Sequence, residues 1–134
     1  MNHIASPDTS DSGIEREIQA KGLTAPRVTP AKIEAVIVTE HYFTAANGAL
    51  GALIDDGTPM HEKAQDAASP LHLLTFCVLV LKNGFTVTGE SACASPENFD
   101  AEVGRKIALE NAKQKIWPLM GYALKQQLHE SAIA

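Results

Sequence analysis

The side chains that could do chemistry in this sequence are scattered rather than grouped. Ser91 lies in the string GESAC, but the fifth residue is Cys93 where the nucleophile-elbow motif needs glycine, and no helix follows directly. Cys77 lies in an apolar run, and Cys93 has no base near it in the sequence. No histidine stands at metal-ligand spacing from another histidine or from a cysteine. We therefore expect no catalytic residue, no metal, no cofactor and no enzymatic activity.

Two features are suited to binding rather than to catalysis. At Ala94–Asp100 a strand end, a turn and a helix start follow one another, and such a junction can present backbone N–H groups to an anion. Glu97 and Asp100 would repel an anion there, so a capped helix start with solvated charges is the alternative. Phe85 follows a turn and could stack on a nucleobase beside a cation such as Arg27. Its alternative place is the core, because Phe85 heads an alternating apolar face.

The composition is that of a small globular domain. The chain has 134 residues, of which 45% are hydrophobic and 20% charged. Its net charge of −5 argues against a protein that coats nucleic acid, and the excess acid lies entirely in residues 1–69. No apolar run is long enough to span a membrane, and the first residues lack the features of a secretory signal. We expect a cytoplasmic protein with no membrane and no nucleic-acid polymer as partner.

The amino-terminal third predicts a tail and then the first helix of a domain. Residues 1–20 are expected to form a disordered or partly helical tail, since Ser, Asp, Thr and Pro dominate until helical spacing begins at Ile14. A single α+β domain is expected over 21–134. Thr29 before Pro30 predicts a helix start, because proline lacks the donor that a first turn cannot use.

The middle of the chain predicts three strands. Residues 36–45 are rich in β-branched and aromatic residues, which favours a strand. The glycine- and proline-containing residues 46–70 are expected to form a long loop. The apolar run 71–82 predicts a second strand, covered on both faces or lying at a subunit interface. Asn83-Gly84 predicts a two-residue hairpin turn, and residues 85–94 then alternate as a third strand.

The carboxy-terminal third predicts two helices. Small residues at helical spacing over 100–116 indicate a helix packed closely on the sheet, with Val103 and Ile107 beside them. Pro118 is expected to break or kink it before a last helix at 119–128. The predicted fold class is thus α+β: a three-stranded, mainly antiparallel sheet with an amino-proximal helix and carboxy-terminal helices packed on it.

Two stretches of the sequence resemble a family of small tailed-phage proteins that are labelled by phage gene-product number. The stretches are TPAKIEAVIVTEHYFTA and LKNGFTVTGESACASPENFDAEVGRKIALENAKQKIWPLMGY. Together they fall within residues 27–128, and the string NGF…SPENFD is the most specific part. The family is similar to, and is identified as including, the first-described class of Thoeris anti-defence proteins.

The resemblance implies a signal sponge. Those proteins bind cyclic ADP-ribose isomers, and some bind cyclic oligonucleotides, without cleaving them. They assemble as dimers or trimers of dimers, with ligand sites between subunits. The positions it implies for ligand binding are Phe85 for stacking, Ser91 and Asn98 for polar contacts, Arg105 and Lys113 for phosphates, and the basic Arg27.

We therefore expect a phage-encoded counter-defence protein in the host cytoplasm that sequesters a cyclic nucleotide-type signal as a homo-oligomer. One alternative is a phage protein that binds and modulates a host protein through its acidic first half, with no small-molecule ligand. Another is an enzyme that degrades the same signal. Intact ligand released from the heated complex would exclude that enzyme.

Overall fold

The computed structural model describes residues 7–57 and 69–133, and the chain divides into two compact units. Val36–Ile116 form what we call the sheet unit. The described residues up to Ala35, together with those from Trp117 onward, form the terminal unit.

The terminal unit begins with two short helices whose starts are both capped by hydroxyls. Helix α1 spans Asp11–Ala20, and the Ser10 side chain accepts the N–H of Gly13 at 3.1 Å. Helix α2 spans Pro30–Val36, and the Thr29 hydroxyl accepts the N–H of Lys32 at 3.2 Å, which confirms the predicted start. The helix in the tail is also confirmed, but it starts at Asp11 rather than Ile14 because Ser10 caps it. Residues 1–6 lie outside the described part.

The sheet unit contains three antiparallel strands, which confirms the predicted α+β class. The strands are β1 (Ile37–Thr44), β2 (Leu74–Leu81) and β3 (Thr86–Ala92), in the order β1-β2-β3. Along β2 every second residue is buried and the others are half-buried. The apolar run thus has one fully covered face, and its first residues form a 3₁₀ turn, Pro70–Leu73, instead of strand.

The hairpin between β2 and β3 is confirmed, but its turn is one residue longer than predicted. The Leu81 N–H donates to the Phe85 carbonyl at 2.8 Å, which leaves three residues in the loop. Gly84 has φ +87°, whereas Asn83 stays at negative φ and its side chain accepts the Phe85 N–H at 2.9 Å. A type I turn followed by a left-handed glycine explains this pattern, and it needs positive φ at one position only.

A helix replaces the first part of the predicted loop 46–70. Helix α3 spans Ala45–Asp55. A reciprocal capping box starts it, because the Thr44 hydroxyl accepts the Asn47 N–H while the Asn47 side chain accepts the Thr44 N–H. The loop prediction is therefore wrong for 46–55. Residues 58–68 lie outside the described part.

The carboxy-terminal residues form one helix, α4 (Ala101–Ile133), with Pro118 inside it. The predicted break is therefore wrong, since a proline removes only one N–H from the helix and the chain continues past it. Within the sheet unit, the buried side of α4 is built from small residues and one isoleucine: Gly104, Ala108, Ala112 and Ile116. Val103 and Ile107, expected beside them, are 52% and 46% exposed. None of the helices in the described ranges is long and apolar enough to cross a membrane.

Candidate functional site

A pocket of about 140 Å³ lies at the end of the sheet where α4 begins. Its walls come from the end of β1, the first turn of α3, the start of β2, the residue that precedes α4 by two positions, and the first turns of α4. The lining residues are Tyr42, Phe43, Thr44, Asn47, Thr75, Phe99, Ala101 and Arg105. All of them belong to the sheet unit.

Arg105 is the cation of this pocket. It lies one helical turn after Ala101, so both side chains project from the same side of α4. Arg105 forms no ion pair and no hydrogen bond with any residue in the described part of the chain. The acidic side chains nearby are engaged elsewhere, since Glu102 pairs with Lys106 at 3.2 Å and Asp100 accepts the Val103 N–H at 2.9 Å.

Thr75 places a buried hydroxyl in the same pocket. The residue is 3% exposed, and its Oγ1 has no hydrogen-bond partner among the described residues. Gly104 makes room for it, because a Cβ built on that glycine would lie 3.1 Å from the Thr75 Oγ1. A buried polar atom left without a partner costs about 1–3 kcal/mol, so native proteins seldom retain one without a reason.

Three aromatic rings complete the pocket. Phe43 packs against Phe76 with ring centroids 5.6 Å apart. Burial, with Cys77 and Glu40 beside it, raises the pKa of Tyr42 to about 12, so its hydroxyl stays protonated at neutral pH. Phe99 stands between the 3₁₀ turn Pro96–Asn98 and α4. A guanidinium beside these walls is suited to a small, negatively charged group.

One of the sequence-predicted residues lines the pocket, and two others neighbour residues that line it, in the sheet or along the chain. Arg105 lines the pocket. Ser91 is the direct cross-strand neighbour of Thr75 and is half-buried. Asn98 is exposed in the turn directly before Phe99.

Two predicted residues of the sheet unit lie away from the pocket. Phe85 precedes Ser91 by six residues, which is about 20 Å along an extended strand. It is 48% exposed, so the alternative that places Phe85 in the core is wrong. Lys113 follows Arg105 by eight residues, about 12 Å along a helix. Its side chain is only 18% exposed, with its ammonium 3.8 Å from Glu110.

The sixth predicted residue, Arg27, lies in the terminal unit and is already paired. Its guanidinium makes two hydrogen bonds to the Glu15 carboxylate, one of them 2.7 Å long between Nη2 and Oε2. These hydrogen bonds hold the pKa of Glu15 below its usual value and raise the pKa of Arg27. Two adjoining pockets of about 250 and 370 Å³ share Arg27 and Lys32 in their walls. An anion bound there would have to compete with Glu15 for the guanidinium.

Sequence reasoning missed Thr75, Tyr42 and Phe99. A signal for Thr75 does exist, because it is the one hydroxyl in the apolar run from Leu73 to Leu81. Tyr42 and Phe99 carry no such signal, since nothing local distinguishes a pocket wall from an ordinary strand or turn aromatic.

The pocket offers binding groups and no recognised metal cluster. Among the residues in the described ranges, no three His, Cys, Asp or Glu side chains come together as a metal ion would need.

Comparison with known proteins gives one match. The model of the family described as Phage protein (N4 Gp49/phage Sf6 gene 66) matches residues 28–128, about three quarters of the chain. No curated protein and no solved structure matches the chain. The match covers β1, β2 and β3 and most of α4, including every residue that lines the pocket. The chain therefore belongs to the phage protein family of N4 Gp49 and phage Sf6 gene 66.

Proposed function

We propose that this phage protein binds and sequesters a cyclic nucleotide-type immune signal in the host cytoplasm without cleaving it. The signal is a cyclic ADP-ribose isomer or a cyclic oligonucleotide. The observation that carries the proposal is Arg105, a guanidinium that pairs with no described residue and stands beside aromatic walls. Guanidinium groups bind phosphates in a bidentate fashion, and the exposed Phe85 ring, outside this pocket, can stack on a nucleobase.

The size of the pocket favours a site that two copies of the chain complete. Ligand sites for drug-sized molecules usually measure about 300–1,000 Å³, whereas this pocket measures about 140 Å³. Phe85 lies about 20 Å along the extended chain from Ser91, which neighbours the pocket residue Thr75, so we expect one small ligand not to reach both Phe85 and Arg105 of one chain. A neighbouring copy can supply its own Phe85, so we propose a homo-dimer or a trimer of dimers in which each ligand contacts two subunits.

Sequestration requires no catalytic group, but it requires a large binding free energy. It needs no nucleophile, no general base and no metal. Holding a signal at nanomolar concentration needs about −12 kcal/mol of binding free energy. A small molecule reaches that value best when it is enclosed, which again favours a pocket closed by a second subunit.

Isothermal titration tests the proposal directly. We expect cyclic ADP-ribose isomers or cyclic trinucleotides to release heat on binding at micromolar protein, with linear ADP-ribose as the control for the cyclic form. Mass spectrometry after heating the complex should return the ligand intact. The absence of heat with every cyclic compound would contradict the proposal, and recovery of cleaved products would replace it with the enzymatic alternative.

Phe85→Ala should weaken ligand binding by about 1–3 kcal/mol, the range for one base–aromatic stack, while the protein stays folded and keeps its oligomeric state. The fold should tolerate the change because about half of the ring surface is already in solvent. Val87→Ala is the matched control, since Val87 is 7% exposed and its truncation should cost about 2 kcal/mol of folding stability. Calorimetry measures the ligand affinity of both variants, and urea unfolding measures their stability. Unchanged affinity in Phe85→Ala would show that Phe85 is not part of the site.

Binding to a host protein is a second candidate function. The exposed apolar pair Val103 and Ile107, one turn apart on α4, favours it. Capture of a single host protein from phage-infected cells, with no small molecule released on denaturation, would support this candidate over the sponge.

A further inference from the structure

We infer that the pocket beside α4 is a phosphoryl-group subsite in which the Thr75 hydroxyl and the Arg105 guanidinium hold the same phosphate. The inference rests on the proposed function for the identity of the whole ligand, and it specifies which part of that ligand this pocket takes. Its starting observation is the Thr75 Oγ1, which is buried, lines the pocket and lacks a partner among the described residues.

The hydrogen-bonding capacity of the walls favours an acceptor-rich group. Arg105 carries only donors. The side-chain acceptors of two lining residues are engaged within the chain, since the Asn47 Oδ1 accepts both the N–H and the hydroxyl of Thr44 at 2.9 Å, and the Thr44 Oγ1 accepts the Asn47 N–H at 3.2 Å. The Asn47 amide therefore has its two N–H donors left to offer.

A donor-rich pocket of this size distinguishes a phosphate from a nucleobase. The edge of a base presents donors and acceptors together and would leave its own donors unpaired here. Phosphoryl oxygens are acceptors only, and they also neutralise the guanidinium charge. A volume of about 140 Å³ suits one such group rather than a whole nucleotide.

Thr75 differs from a threonine that serves only the fold, because its hydroxyl is not expected to stabilise the folded state. Its hydroxyl makes no hydrogen bond with any described residue, so we expect an isosteric apolar residue to fit the same space without loss of stability. Since Thr75 is 3% exposed, binding includes a shift of a pocket wall. Phe99 is the wall segment that lies outside both helices and strands, and its ring lies next to the same Gly104 position as the hydroxyl.

The test compares wild type, Thr75→Val and Thr75→Ser as full-length proteins. Three probes are titrated while the backbone amides of Ala101–Arg105 are followed by NMR: inorganic phosphate, a cyclic ADP-ribose isomer, and uncharged adenosine. We expect phosphate and the cyclic compound to shift these amides in the wild type and adenosine to leave them unchanged. Thr75→Val should weaken both interactions at least tenfold, and Thr75→Ser should stay within about threefold of the wild type.

Urea unfolding supplies the second readout. Thr75→Val should unfold at a urea concentration equal to or above that of the wild type while it loses affinity. Wild-type affinity in Thr75→Val would overturn the inference, as would a response to adenosine in place of phosphate. A threonine-dependent response to phosphate without any response to a cyclic compound would keep the subsite and contradict the proposed function. No response to either anion would overturn both.

Discussion

Gly89→Ala is expected to lower the free energy of unfolding by about 3 kcal/mol or more. Gly89 lies on β3 directly beneath α4, and a Cβ at that position would overlap the carbonyl oxygen of Ala108 and the backbone nitrogen of Ala112. It would also lie 2.9 Å from the Cα of Ala112. All of these obstacles are backbone atoms, so no side chain can rotate away and α4 must lift off the sheet.

The same chemical change elsewhere supplies the control. Gly121 lies inside α4 with nothing within 4 Å of a Cβ built on it. Gly121→Ala should therefore raise stability by up to about 1 kcal/mol, because alanine loses less conformational freedom in a helix. Chemical denaturation of both variants measures the difference. If Gly89→Ala proved as stable as wild type, the close contact between α4 and β3 would be refuted.

That contact also shows which parts of the fold local sequence can predict. The alternation of β3 places Val87 and Gly89 on one face, as predicted, and the small residues of α4 recur at helical spacing on its buried side. Val103 and Ile107, expected beside those small residues, are exposed instead. The close packing of α4 on β3 can also be predicted from the sequence, because a glycine opposite alanines allows two backbones to approach closely.

The errors arose where one local signal competes with another. Residues 46–55 contain two glycines and an Asn-Gly pair, which indicate a loop, yet the Thr44–Asn47 capping box and the apolar spacing that follows support a helix. Pro118 indicates a helix end, yet the loss of one backbone N–H donor does not end a helix of 33 residues. In both cases the pattern over the longer segment determines the structure, and the signal from one or two residues does not.

The candidate site was only partly predictable for a different reason. Arg105, which lines the pocket, lies in the same short stretch of sequence as Ser91, the cross-strand neighbour of Thr75, and Asn98, which directly precedes Phe99. Tyr42, Asn47 and Thr75 reach the pocket only through the pairing of β1 with β2. The register of that pair depends on contacts between residues more than 30 positions apart, which no local pattern encodes.

Arg105→Ala is expected to weaken binding of the cyclic ligand by about 10- to 100-fold, the loss of a hydrogen bond to a charged group. The change removes the pocket's cation without removing any hydrogen bond or ion pair that the described residues make, so folding stability should stay within about 0.5 kcal/mol of the wild type. The loss should be largest at low ionic strength, because salt screens a partly exposed charge and already weakens the wild-type interaction.

Lys106→Ala is the matched control for charge. It removes one positive charge from the adjacent position, but the Lys106 side chain is 73% exposed and its ammonium faces Glu102. We expect its affinity to stay within about threefold of the wild type, since a solvated charge of this kind contributes little.

Arg105→Lys separates charge from geometry, because lysine keeps the cation and loses the planar fork that binds two phosphate oxygens at once. A lysine variant that binds as poorly as the alanine variant would assign the interaction to the fork, and equal affinity in all four proteins at low salt would exclude Arg105 from the site.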